Sequence, residues 1–284
     1  MGWNPGKRSW HKACDRIGTM SSNTSQTWIK PLARTGYAAK GIVYLTIGIM
    51  ALLAAFGKGG DLIGFSGALE ELASKPFGSA LLVILGVGLL AYSGYRLLCA
   101  FVDSENEGKD GTGLAKRAGY LGSGLVYGAL GVTALTGLGG GSGGGEEEMT
   151  SKALEIPGGA FLVGAVAVGI IIAGILQWVK AIKGTYRNKF TLDSLAASKR
   201  DWIEKSAKFG LISRGIVFLV VGIFLLIAAF QSDPSEAKGI GEALGKIAQQ
   251  SYGAILLGVT AAGLVCYSVY CAVLARYGDF GNAR

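Results

Sequence analysis

The sequence is poor in the residues that most active sites are built from. It has one histidine, His11, and four cysteines, Cys14, Cys99, Cys266 and Cys271, in 284 residues. His11 lies in a polar stretch, so the apolar parts of the chain cannot ligate haem through two histidines or build a His-rich metal site. No two cysteines form a Cys-x-x-Cys pair, and thiols in apolar runs are expected to stay reduced and buried. Charge is sparse as well. Asp, Glu, Lys and Arg make up 16% of the chain, against about a quarter in soluble domains. The apolar runs hold no Asp or Glu at all, which excludes a carboxylate proton relay or a carboxylate ring for cations. Residues 1–30 are polar and basic, with Trp3, Trp10 and Trp28 suited to headgroup depth. They lack the apolar core of a secretory signal peptide. Met20 is an alternative start, and no function is read into residues 1–19.

Apolar residues and glycine are abundant, at 50% and 47 residues respectively, and the mean hydropathy is +0.43. Six apolar runs, 37–56, 77–101, 119–138, 158–182, 209–230 and 252–275, each approach or exceed the ~20 residues that cross a bilayer as a helix. They are linked by an internal repeat. One phrase begins at Gly36, returns at Gly119 and returns again at Gly210, each time opening an apolar run. Within it Gly41, Tyr44 and Gly48 share one helix face, as do Gly124, Tyr127 and Gly131, and Gly215, Phe218 and Gly222. Small residues let helix backbones approach closely where packing, not water, drives association. The second run of each pair repeats too, with Gly88, Gly169 and Gly263 each ten residues beyond an opening glycine. These nine glycines are therefore expected to be helix-packing positions. Units one and three agree further, with Tyr92 and Tyr95 matching Tyr267 and Tyr270, whereas the middle unit has Ala173 and Leu176. Such a tyrosine stripe suits packing or an interfacial belt better than a quinone or redox site.

The reading is an all-α membrane protein of six transmembrane helices, arranged as three parallel-repeat hairpins in a pseudo-threefold bundle. It divides into a basic N-terminal segment (1–30), hairpin repeats at 31–103, 104–182 and 209–276, a cytoplasmic amphipathic linker (183–208) and a tail (277–284). Short amphipathic helices are expected at 67–73 and 241–247, a surface helix over 191–203, and a flexible linker over 139–148. The Gly-x-Ser-x-Gly and Gly-x-Gly-x-x-Gly matches in that glycine run lack the strand-turn-helix context they require.

Of the 27 Lys and Arg residues, 19 fall on the side of the two termini, counting Lys180 at the end of the fourth run with the loop that follows it, and five (Lys58, Lys75, Lys152, Lys238, Lys246) on the other. That asymmetry places both termini in the cytoplasm. The remaining three, Lys40, Arg96 and Arg214, fall inside the runs near the basic side. Ser123 stands where the other copies of the phrase have Lys40 and Arg214. Lys40 is one helical turn inside its span, so its ammonium is expected to snorkel to the headgroups.

With the phrases at Gly36, Gly119 and Gly210 and the closing Gly-Leu-x-x-Tyr patterns at Gly88 and Gly263 in place, the chain resembles the bacterial membrane family known as domain of unknown function 1206. The resemblance covers about residues 33–275. It implies three two-helix hairpins and the plasma (inner) membrane of a bacterium, and it transfers no catalytic residue. The favoured function is structural or accessory, binding anionic lipids or a membrane protein partner. The alternative is a channel or transporter for a small anion or amphiphile, with Lys40, Arg96, Ser123 and Arg214 lining an inner vestibule. No enzyme activity, metal, cofactor or nucleic acid is expected.

Overall fold

A computed structural model describes residues 6–103, 105, 107–136, 145–190, 192, 195–233 and 239–280, of which 6–28 and 145–149 are described as backbone only. Among these residues the chain forms α1 (Gly6–Ala55), α2 (Phe65–Ala73), α3 (Gly78–Phe101), α4 (Gly111–Thr136), α5 (Gly145–Leu154), α6 (Gly159–Lys183), α7 (Ala197–Gln231), α8 (Ile240–Ala248) and α9 (Gly253–Tyr277). A 3₁₀ turn, Thr185–Lys189, follows α6. Six helices are long and apolar enough to cross a membrane: the Ile29–Ala55 part of α1, and α3, α4, α6, α7 and α9. In hydrocarbon a lone backbone has no water to bond, so each apolar run satisfies its own amides as helix.

The repeat unit is larger than a hairpin. In each unit a long helix is followed by a short one and then a second long one. The short helices α2, α5 and α8 turn into α3, α6 and α9 through the same backbone bond: Gly78 to the Lys75 carbonyl, Gly159 to that of Ile156, Gly253 to that of Gln250. A Cβ on any of these glycines would run into the last turn of the short helix, which is why glycine stands there three times. α5 occupies sequence expected to be linker; the part of that linker at 137–144 lies outside the described residues. The surface helix expected over 191–203 is not separate. From Ala197 the chain is already α7, because its first turns bury Ile203, Ser206 and Ala207 and the helix runs on into the apolar span. Likewise α1 continues back from its span to Gly6, through Pro31.

The glycine phrases make the contacts between repeats. Cβ atoms on Gly41 and Gly48 would press on Cys271 and Val265 of α9, on Gly124 and Gly131 against Leu97 and Leu90 of α3, and on Gly215 and Gly222 against Trp178 and Ile171 of α6. The three interfaces α1–α9, α4–α3 and α7–α6 are thus equivalent, and they are the most extensive in the molecule. Within hairpins, Gly36 lies against the Tyr92 backbone and Gly88 against Ala39, and in the third unit Gly210 lies against Tyr267 and Gly263 against Ser213.

The middle hairpin departs from this. α4 and α6 barely touch. A Cβ on Gly119 or on Gly169 would meet nothing within 4 Å. Gly169 is therefore exposed rather than a packing position, unlike the eight other glycines assigned to packing. The six helices form a ring, α1, α3, α4, α6, α7, α9, closed at five seams and open between α4 and α6.

Candidate functional site

The inner faces of the ring carry aromatic rings at repeated positions. Tyr44 and Tyr127 come from the phrase, and Tyr92 and Tyr267 from the second helices. All four are at most 4% exposed. They meet edge to face, Tyr44 on Tyr267 and Tyr92 on Tyr127, each pair with centroids 4.8 Å apart. Tyr95 and Tyr270 are buried beside them, so the tyrosine stripe belongs to the core and not to an interfacial belt.

Lys40 points into this cluster. It is 3% exposed, with its Nζ 4.9 Å from the centroids of both Tyr92 and Tyr127, 5.6 Å from Tyr267, 5.9 Å from Tyr44 and 6.0 Å from Tyr37. It donates to the Tyr92 hydroxyl at 3.3 Å. The snorkelling expected of it does not occur. Ring faces brought from α3, α4 and α9 offer the ammonium an electrostatic partner within reach.

Arg96, on α3, donates through Nε and Nη2 to the Tyr92 hydroxyl at 2.8 and 2.6 Å and through Nη2 to that of Tyr37 at 3.3 Å. Its guanidinium also lies 5.1 Å from the ring of Tyr120. Arg214, on α7, donates through Nε to the Tyr44 hydroxyl and through Nη1 to Gln177 Oε1, each at 2.8 Å, and stacks 4.2 Å over Phe218. Three of the four residues singled out in the sequence thus converge. Ser123 does not join them: it is half-buried and its hydroxyl bonds none of these groups.

Gln177 is the residue the sequence reading missed. Eight residues beyond Gly88, Gly169 and Gly263 stand Arg96, Gln177 and Cys271, so the register of the second helices marked the position. The Gln177 side chain is 6% exposed. Because Oε1 accepts from Arg214, the amide orientation is fixed and Nε2 is the donor end, and Nε2 has no hydrogen-bond partner.

The electrostatics are one-sided. Among the described residues no ion pair involves Lys40, Arg96 or Arg214. Lys40 and Arg214 share the rings of Tyr44 and Tyr267, and at an effective dielectric of 20 two like charges ~10 Å apart repel by about 2 kcal/mol. Each buried charge also loses several kcal/mol of hydration. A cation–π contact returns only about 0.5–2 kcal/mol. Nearby carboxylates are already engaged in the loop after α3. Glu105 pairs with Lys189 and accepts from the Tyr95 hydroxyl. Glu107 pairs with Lys116 at 2.5 Å and accepts from Tyr120 at 2.6 Å. Burial pushes the Glu107 carboxyl up, but these two bonds and the Lys116 and Lys189 charges outweigh it and hold the group below its usual value. Asp103, bonded by the Glu107 and Gly108 amides, is also held low.

Aromatic side chains close both ends of the core. Phe65, at the start of α2, packs edge-on against Tyr44 and Tyr127 with centroids 5.4 and 6.0 Å away. At the other end Phe280, fully buried, stacks on Tyr37 at 5.3 Å and meets Tyr95 at 5.6 Å. The segment carrying Phe280 is tied down by a bridge between Phe190 and Gly278, the Asp279 amide bonded to the Lys189 carbonyl, Arg34 bonded to the Gly278 carbonyl, and the Lys30–Asp279 ion pair. The thiols of Cys99 and Cys271 are buried and that of Cys266 is half-buried; the side chains of Cys14 and His11 lie outside the described residues. No cluster able to hold a metal ion occurs among the described residues.

Six apolar helices in three repeated units make this an integral membrane protein with several spans. The chain belongs to the family described as Domain of Unknown Function (DUF1206), whose model matches residues 35–103, 118–184 and 209–278, one match per repeat. It is similar to an uncharacterized protein of Bacillus subtilis (strain 168), YxxB, with 32% identity over 265 residues that cover 93% of this chain and 96% of that one. No solved structure matches it.

Proposed function

We propose that this protein is a non-enzymatic binding protein of the bacterial plasma (inner) membrane whose core holds an anionic group. The carrying observation is the buried set of Lys40, Arg96 and Arg214, hydrogen-bonded to tyrosines and to Gln177 and, among the described residues, to no carboxylate. An acceptor-only anion would neutralise these charges and take up the N–H donors left over. The distribution of Lys and Arg supports an orientation with both termini in the cytoplasm, and the basic cytoplasmic side suits anionic lipids, with a membrane protein partner as a further role for the same surface. Nothing in the charge pattern calls for nucleic acid. The tyrosines that fill the axis, with Phe65 and Phe280 beyond them, favour binding over conduction.

The test is native mass spectrometry from mild detergent, with extraction of the bound material, on wild type, Lys40→Met and Arg214→Gln. The expected result is a stoichiometric anionic adduct on wild type that falls about tenfold or more when either cation is removed. A wild-type protein that stays bare in the presence of both inorganic phosphate and anionic lipid would sink the proposal.

A further inference from the structure

Resting on that reading, we infer that the anion is the phosphate headgroup of a membrane glycerophospholipid, and that it reaches the cations sideways, through the open seam between α4 and α6. Four independent features of the molecule converge on this.

The first is the seam itself. In units one and three the hairpin glycines Gly36, Gly88, Gly210 and Gly263 are filled by the neighbouring helix, whereas their counterparts Gly119 and Gly169 face open space. The middle unit keeps the small residues and lacks the contact. The second is the missing ring. Where α3 and α9 carry Tyr92 and Tyr267, α6 carries Ala173, so the wall of the core is thinned on the side of the seam. The third is Gln177, one turn beyond Ala173 on the same face of α6. It is more than nine-tenths buried, it is bonded to Arg214, and its Nε2 is an unmatched donor. A buried amide N–H without an acceptor costs about 1–3 kcal/mol, and a phosphate oxygen placed there would accept from it and from Arg214 together. Lys180, three residues further along that face and exposed, adds a cation at the mouth.

The fourth feature selects the source of the phosphate. Both ends of the core are stopped by aromatic side chains, Phe65 against Tyr44 and Phe280 against Tyr37. Those tyrosines are seven residues apart, or roughly 10 Å along α1. A free ion arriving from water would have to displace one of these plugs. The lateral gap opens instead toward hydrocarbon, past exposed apolar side chains that share the faces of Gly119 and Gly169, such as Val126 on α4 and Val166 and Leu176 on α6. A molecule with an acceptor-only anionic head and apolar chains matches both parts, its head against Arg214, Gln177 and Arg96 and its chains along the seam.

The experiment fills the seam without touching the cations. Gly169→Phe and, on the opposite wall, Gly119→Leu each place a side chain where a Cβ meets nothing, so the fold is expected to survive; gel filtration and circular dichroism check this. Retention of phosphatidylglycerol is read by native mass spectrometry, and binding of inorganic phosphate by thermal shift, for both variants, wild type and Arg214→Gln. The expected result is about one phosphatidylglycerol per wild-type chain, reduced about fivefold or more by either seam variant and by Arg214→Gln. If the seam variants keep the lipid while Arg214→Gln loses it, the lateral route is overturned and the anion site stands. If wild type responds to inorganic phosphate but retains no lipid, the lipid is overturned and the anion site again stands. If wild type binds neither, both readings fall together.

Discussion

Two glycine substitutions of the same kind, on neighbouring transmembrane helices, should have opposite effects on stability. Gly222 on α7 packs against α6: a Cβ there would lie 2.6 Å from Ile171 Cγ1 and 3.2 Å from both the Ala167 carbonyl oxygen and the Ile171 amide nitrogen. The last two are backbone atoms and cannot rotate away. Gly222→Leu must push α7 off α6, and overpacking of this kind costs about 1–3 kcal/mol. Gly169 on α6 has nothing within 4 Å of its Cβ position. Gly169→Leu loses no contact there, and replacing a mid-helix glycine by a better helix former returns roughly 0.5–1 kcal/mol. The two variants are expected to differ by about 2–4 kcal/mol, which is a roughly 30- to 1,000-fold difference in the unfolding equilibrium. Reversible unfolding of the purified protein in mixed micelles, followed by circular dichroism against the fraction of denaturing detergent, reads that gap. If Gly169→Leu proves as destabilising as Gly222→Leu, then α4 and α6 pack on each other in the membrane and the open seam is refuted.

Other substitutions probe the core and its closure. Lys40→Met removes a buried cation from an aromatic cage of similar shape, so in ligand-free protein it is expected to raise thermal stability, by about 1–4 kcal/mol if the site follows other buried charges replaced by apolar residues; a lower melting temperature without ligand would show that the ammonium is a net structural asset. Phe280→Ala vacates a fully buried aromatic position, and with a truncation cost of about 3–5 kcal/mol the segment should detach; amide exchange at Gly278 and Asp279 is expected to rise to the rate of a free tail, and unchanged protection would refute the plug. The carboxyls of Glu107 and Asp103 are held below their ordinary values, 4.5 and 3.8. Their contribution to the loop is therefore fully present above those values and is lost as pH falls through the lower folded ones. Amide protection at Gly108 should fall in that window, while Glu107→Gln should already lack the Lys116 pairing at neutral pH; a loop indifferent to both changes would contradict the assignment.

Much of this architecture could be read from residue spacing alone. Gly41, Gly48 and their counterparts share a helix face whatever the partner is, because 3.6 residues per turn fixes which side chains point together. Hydrocarbon then leaves each apolar run no fold but a helix. The short helix of the middle unit, α5, is legible only from the register of the repeat. The stretch before Gly159 sits where α2 and α8 sit before Gly78 and Gly253, but a run of glycine and glutamate masks it as linker. The same register aligns Arg96 with Gln177.

Lys40 and Gly169 show where spacing stops being informative. A lysine one turn inside a span can carry its charge outward to the headgroups or inward to a ring face, and its own helix does not choose between them. The rings of Tyr92, Tyr127 and Tyr267 decided it, and they arrive from three other helices. Gly169 has the same place in its helix as Gly88 and Gly263, yet it packs against nothing. The sequence by itself determined the spans, the threefold repeat and the faces that small residues would present, since these depend only on helical period and solvent. The tertiary structure alone decided which of those faces found a partner. That choice is a property of the ring as a whole: five seams close, and the sixth, between α4 and α6, is left open.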